Sequence, residues 1–262
     1  MAISADWTPR MRRWSLAFVL LQLGLLAGCY PRADLRKPLP SMLVPAPRQP
    51  STRLVVVLPG RGDDIAALRR AGIADAVHAA WPDADVLLAG LALNVYLEGR
   101  APQRLRAEVI EPERAGRHYR QTWLVGASMG GMGALLYDRA WPGEAAGIVL
   151  LAPYLGEQPL LAEIAAAGGI TRWQPGPAAA RIDGDNFARE LWRHLQTWPA
   201  SGRGDTVWVG HGDADYLRAA VPLLAPLLPV GHVQVRRGGH AWTVWTPLAG
   251  ELLRRAGPAT LP

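Results

Sequence analysis

The chain has 262 residues, half of them hydrophobic and 19% charged, with a formal net charge of +6. That length and composition suit one globular domain with a single large core. Arginines are spread along the chain without a basic stripe carrying aromatics, so no nucleic-acid partner is expected, and a single cysteine excludes internal disulfides and cysteine-based metal sites.

Taken in order, the chain opens with Arg10, Arg12 and Arg13 ahead of an uncharged apolar stretch, residues 14–28. Its length fits the apolar region of a signal peptide and is short for a membrane span. It ends in Leu26-Ala27-Gly28-Cys29, which resembles the lipobox of bacterial lipoproteins, where Cys29 would carry the lipid and begin the mature chain. Residues 1–28 are therefore read as a signal peptide, whose removal lowers the charge to +4. Met11 would start a more typical signal than Met1. Tyr30 is not the aspartate of the known inner-membrane retention rule, so an exported, membrane-anchored protein is expected, on the outer membrane if the cell has two.

Residues 29–51 are rich in proline without a period and read as a tether, part of it lying along the domain. Buried strands are expected at 52–58, 85–91, 121–127, 147–153 and 206–210, with a last one at 232–236. Helices are expected at 65–80 with a bend at Gly72, at 102–116, from Met129 to about 140, at 216–228 despite Pro222 and Pro226, and at 242–256. Strands alternating with helices imply an α/β fold with a mostly parallel sheet covered on both faces. Residues 153–204 break the alternation. This helical, lid-like insertion carries Trp173, Trp192 and Trp198, which are expected either to wall a substrate pocket or to pack the insertion.

Chemistry centres on Gly126-Ala127-Ser128-Met129-Gly130. This G-x-S-x-G sits where an apolar strand meets a helix, the setting of a nucleophile elbow, in which strand and helix pass too closely for side chains at the glycines. A serine hydroxyl needs a base within hydrogen-bond reach and a carboxylate to hold that base in one tautomer. His240 alone among the histidines lies in a glycine turn directly after the last strand; His78, His118 and His194 fall on helical stretches, and His232 at the start of that strand. The loop after the 206–210 strand, His211-Gly212-Asp213-Ala214-Asp215, offers two acids. Asp215 also precedes an expected helix and suits its N-cap, and Asp213 suits a turn aspartate.

With these residues in order, the sequence from about 52 to 256 resembles the α/β-hydrolase family. The resemblance rests on the strand followed by Pro59-Gly60, on G-x-S-x-G, on Gly212 to Asp215, and on Gly238-Gly239-His240. It implies that Ser128 is the nucleophile, His240 the base and Asp215 the acid, with Asp213 and His211 shaping the acid's loop. It also implies an oxyanion hole of the backbone N–H of Met129 and that of Arg61, with Gly60 as the alternative because Pro59-Gly60-Arg61 replaces the family's His-Gly-x. Arg61-Gly62-Asp63 spells a cell-adhesion tripeptide, but its place after the first strand accounts for it better.

The expected activity is a carboxylic-ester hydrolase working through an acyl-enzyme on a small ester or acyl substrate, with no cofactor and no metal. A thioesterase, amidase or peptidase would use the same residues. A membrane-anchored binding protein that kept the fold without turnover is the alternative from another class. The sequence sets no oligomeric state.

Overall fold

A computed structural model describes residues 32–257. The signal peptide and Cys29 lie outside the described residues. Seven strands form one sheet in the order β1-β3-β2-β4-β5-β6-β7. They are β1 (Ser41–Val44), β2 (Arg53–Leu58), β3 (Ala84–Ala89), β4 (Gln121–Ala127), β5 (Gly147–Leu151), β6 (Val207–Gly212) and β7 (Val233–Arg236). All neighbours pair in parallel except β1, which runs antiparallel to β3.

β2, β3 and β5 are buried along their whole length. Their side chains alternate between two cores, as the period of two requires. On one face Leu54, Val56, Leu58, Leu124 and Leu150 pack with Leu135 of the helix Met129–Ala140. On the other, Val55, Val57, Val125 and Val149 pack with Trp245, Leu248 and Leu252 of the helix Trp242–Ala256. The sheet is thus sandwiched between helices, and the loops that matter chemically emerge at the carboxyl ends of β2, β4, β6 and β7.

β1 corrects the reading of residues 29–51 as a tether. Ser41–Val44 lies between Pro40 and Pro45, so four consecutive residues keep the N–H groups that an edge strand needs. The flanking chain is also pinned: the buried Asp85 carboxylate accepts the Ala46 amide at 2.7 Å, the Ser51 hydroxyl at 2.9 Å and the Tyr119 hydroxyl at 2.6 Å. Burial alone would raise the Asp85 pKa, but these donors and the nearby Arg117 hold it below the usual carboxylate value.

Three helices differ from expectation for local reasons. The 65–80 helix is two, Ile65–Arg70 and Ile73–Ala80, because Gly72 takes a left-handed conformation at φ 67°. The 102–116 helix carries a π-helical turn at Arg106–Ile110. Pro112 follows it and has no N–H to give the Glu108 carbonyl, so a regular α-helical ladder fails there. Residues 216–228 break into a 3₁₀ turn, a short α turn (Val221–Leu224) and another 3₁₀ turn, with Pro222 and Pro226 in the first turns of the last two pieces. A short helix at Leu93–Leu97 has no counterpart in the sequence reading.

The insertion is held on the elbow side of the sheet. His194 Nε2 lies 2.9 Å from Asp138 Oδ2, and Arg203 Nη2 lies 2.8 Å from Asp138 Oδ1. Asp138 is buried, so this group joins the end of the helix Met129–Ala140 to the helix Phe187–Leu195. No helix among the described residues is long and apolar enough to cross a membrane.

Candidate active site

β4 ends at Ala127 and the helix begins at Met129, leaving Ser128 alone to turn the chain. Its backbone has φ 54° and ψ −116°, a conformation that costs on the order of 1–3 kcal/mol for a residue with a side chain. Close packing holds it there. A β-carbon on Gly126 would meet the Gly130 carbonyl oxygen at 2.3 Å, and one on Gly130 would meet the Leu58 carbonyl oxygen at the same distance. The Ser128 amide donates to the Leu151 carbonyl at 2.8 Å, and its carbonyl accepts the Tyr154 amide at 3.0 Å.

Two other loops converge on the serine. His240 follows β7, and its Nε2 lies 2.9 Å from Ser128 Oγ. Its Nδ1 faces both carboxylate oxygens of Asp215, at 2.9 and 3.0 Å. With a proton on Nδ1, the imidazole donates to Asp215 and leaves Nε2 free to accept from the serine hydroxyl. Asp215 is fully buried. Burial pushes its pKa up, but the hydrogen bond from His240, the Leu217 amide at 2.9 Å and the charge of a protonated His240 pull it below the ordinary value. The Leu217 amide donates to the same carboxylate, so Asp215 both faces His240 and braces the turn that follows.

Asp213 is turned elsewhere. Its Oδ1 accepts the Gly238 amide at 2.9 Å, and the Ala214 amide donates to the Gly238 carbonyl at 2.9 Å. The acid loop and the histidine loop are thereby stitched together. His211 is buried, with Nδ1 2.8 Å from the Gly212 carbonyl. Aromatic rings flank His240: Tyr216 at 4.3 Å and Trp245, edge-on, at 4.5 Å.

The loop after β2 reaches the same place. A β-carbon on Gly60 would stand 3.6 Å from Ser128 Cβ. Asp63 accepts the indole N–H of Trp242 at 2.9 Å, which ties this loop to the helix after His240 and engages the aspartate of Arg61-Gly62-Asp63 within the fold. Met129, as the first residue of its helix, has an amide without an intrahelical acceptor. Arg61, Ser128 and Met129 all line one cavity of about 730 Å³. The other histidines stand apart: His194 on Asp138, and His232 stacked on Trp208 at 3.6 Å.

The cavity runs between the helix Met129–Ala140 and the insertion. Its walls include Leu93, Tyr96, Met132, Leu136, Leu161 and Phe187. Trp173, Trp192 and Trp198 are all buried in the core and none lines it. Trp192 donates to the Leu155 carbonyl at 2.8 Å and Trp173 to Glu163 at 2.8 Å, so the tryptophans pack the insertion. Tyr154 and Tyr216 are wall residues that sequence reasoning missed, although each directly follows a residue it had noted, Pro153 and Asp215.

No protein-family model and no curated protein matches the chain in sequence. Solved structures do match in shape. An S-formylglutathione hydrolase from Staphylococcus aureus is 15% identical with a TM-score of 0.54, over 79% of this chain and 81% of that one. A monoacylglycerol lipase from Paleococcus ferrophilus is 16% identical with a TM-score of 0.52, over 84% and 99%. Est1E from Butyrivibrio proteoclasticus is 14% identical with a TM-score of 0.55, over 83% and 92%. Together with the mostly parallel seven-stranded sheet and helices on both of its faces, these likenesses show that the chain has the α/β-hydrolase fold.

Proposed function

We propose that the protein is a serine hydrolase that cleaves carboxylic esters through an acyl-enzyme. The observation that carries this reading is the unbroken chain from Ser128 Oγ through His240 to Asp215, at 2.9 Å on each side of the imidazole, opening on an apolar cavity. The names of the structural neighbours, a hydrolase of S-formylglutathione and a lipase among them, support an ester-type bond as the target.

In this mechanism Ser128 Oγ attacks the carbonyl carbon while its proton passes to His240 Nε2. The carbonyl oxygen becomes an oxyanion, bound by the amides of Met129 and Arg61 with the N-terminus of the elbow helix behind them. Collapse restores the carbonyl and breaks the bond to the leaving alkoxide, which takes the proton from His240. A water then gives a proton to His240 and attacks the acyl carbon. The second collapse releases the acid and returns the proton to Ser128. Asp215 stays ionised throughout, holding the imidazole in one tautomer and stabilising it while charged.

Export and anchoring through a lipid on Cys29 are part of the proposal and rest on the basic flank, apolar stretch and lipobox of residues 10–29. Rates on matched oxygen esters, thioesters and amides, for wild type and Ser128→Ala, test the reaction. Oxygen esters should turn over fastest, and Ser128→Ala should lose at least about 10⁴-fold in kcat. Turnover that survives the substitution, or amides cleaved as fast as esters, would oppose it.

A further inference from the structure

The cavity that holds Ser128 has a second end of different character. Along the helix Met129–Ala140, the lining residues are Met129, Met132, Leu136, Arg139 and Ala140, one face from first turn to last. The middle of this face is apolar. Arg139 lies about 16 Å from Ser128 at 1.5 Å of rise per residue.

Arg181 of the insertion lines the same cavity. The Ala179 amide donates to Glu190 Oε1 at 3.2 Å, while Glu190 Oε2 lies 3.9 Å from Arg139 Nη2. The nearby acids are already engaged. Glu190 is buried and bound more closely by Arg193, at 3.1 Å, than by Arg139. Asp183 accepts the Asp185 and Asn186 amides at 3.0 and 3.2 Å, and Glu157, nearer the serine, accepts the Tyr154 hydroxyl. Among the described residues the exposed Arg181 guanidinium has no acid within ion-pair distance. The segment that leads to Arg181 thus meets Arg139 through Glu190, and both arginines line the cavity that holds Ser128.

We propose that the preferred substrate is two-ended: an ester carbonyl at Ser128, an apolar spacer along the elbow helix, and a carboxylate held by Arg139 and Arg181. Guanidinium groups match a carboxylate with paired donors. Arginine side chains on a helix lean toward its N-terminus, which shortens the span, so a spacer of about ten extended carbons fits. This inference rests on the assignment of Ser128 as nucleophile.

The test compares p-nitrophenyl hydrogen decanedioate with p-nitrophenyl decanoate, which share chain length and leaving group. For wild type the ratio of their kcat/KM values should favour the hemiester about tenfold, the worth of one charge-assisted hydrogen bond, mostly through KM. Arg181→Gln should bring the ratio toward one, Arg181→Lys should keep part of it, and Arg139→Gln with Arg181→Gln should abolish it. Calorimetry on Ser128→Ala, with methyl hydrogen decanedioate against methyl decanoate, reads binding without turnover and should show the same order. Esters cleaved at a ratio of one or below, or a ratio that survives both substitutions, would overturn the inference. If no ester is cleaved but Ser128→Ala still binds the hemiester more tightly, the hydrolase reading fails and the anion end stands.

Discussion

Asp213 accepts on Oδ1 the amide of Gly238 at 2.9 Å, two residues before His240, whose own Nδ1 is 2.9 Å from Asp215. The two aspartates therefore hold the same loop by different handles, one by its backbone and one by the imidazole. Asp215→Asn should favour the wrong tautomer of His240 and lower kcat at least about a hundredfold. Asp213→Asn should lower kcat less than about tenfold, with a stability loss on the order of 1 kcal/mol. Kinetics and thermal melts on both variants check this, and a reversed order would make Asp213 the acid.

The pH dependence has two parts. His240 must be neutral to accept the serine proton, so kcat/KM should rise with pH as the base loses its proton. A profile flat from pH 5 to 9 would argue against a histidine base. Asp215 acts on stability, and in the same direction. Its pKa is lower folded than unfolded, so its contribution is complete above the ordinary aspartate value and is lost as pH falls through the folded one. Acid unfolding should accordingly be less steep in Asp215→Asn.

Gly126→Ala should damage folding before it damages chemistry. The added β-carbon would sit 2.3 Å from the Gly130 carbonyl oxygen, backbone that cannot swing aside. Overpacking of this kind costs about 1–3 kcal/mol, and here it also displaces Ser128. A lowered melting temperature together with lost turnover is expected; a fully stable, inactive variant would point to a different role for the glycine.

Trp192→Ala should act on the insertion and not on substrate choice. Its ring is fully buried and its N–H is bonded to the Leu155 carbonyl, so removal should cost about 3–5 kcal/mol. Phe187→Ala, at the cavity wall, should instead change the preference for ester chain length with a smaller stability loss. Chain-length profiles and melts on the pair separate the two roles.

Much of this was legible in the residues because the relevant constraints are local. G-x-S-x-G between an apolar run and a helix encodes the tight turn at Ser128, and a histidine directly after the last parallel strand emerges at the same carboxyl edge of the sheet as that turn. What was not legible depends on long-range packing. Ser41–Val44 reads as part of a proline-rich tether until β3 offers it an edge. The tryptophans of the insertion suit a pocket wall and a core equally well, and only the packing of the folded insertion decides between them. The arginine pair is invisible in sequence, since Arg139 and Arg181 line one cavity only when the insertion folds over the elbow helix.

For Cys29, the expected outcome is a mature chain that starts at that residue, carries lipid and partitions into detergent. Cys29→Ser should release a soluble protein with unchanged turnover. Intact-mass analysis of the membrane fraction reads the modification directly, and an unmodified cysteine or another mature start would reject the anchor.

The most direct measurement of the central claim is reaction with a fluorophosphonate, followed by peptide mass analysis. Wild type should gain one adduct, on the peptide carrying Ser128; Ser128→Ala should gain none, and His240→Ala should react far more slowly. A folded wild-type protein that stays unlabelled, or a label on any residue other than Ser128, would contradict the account.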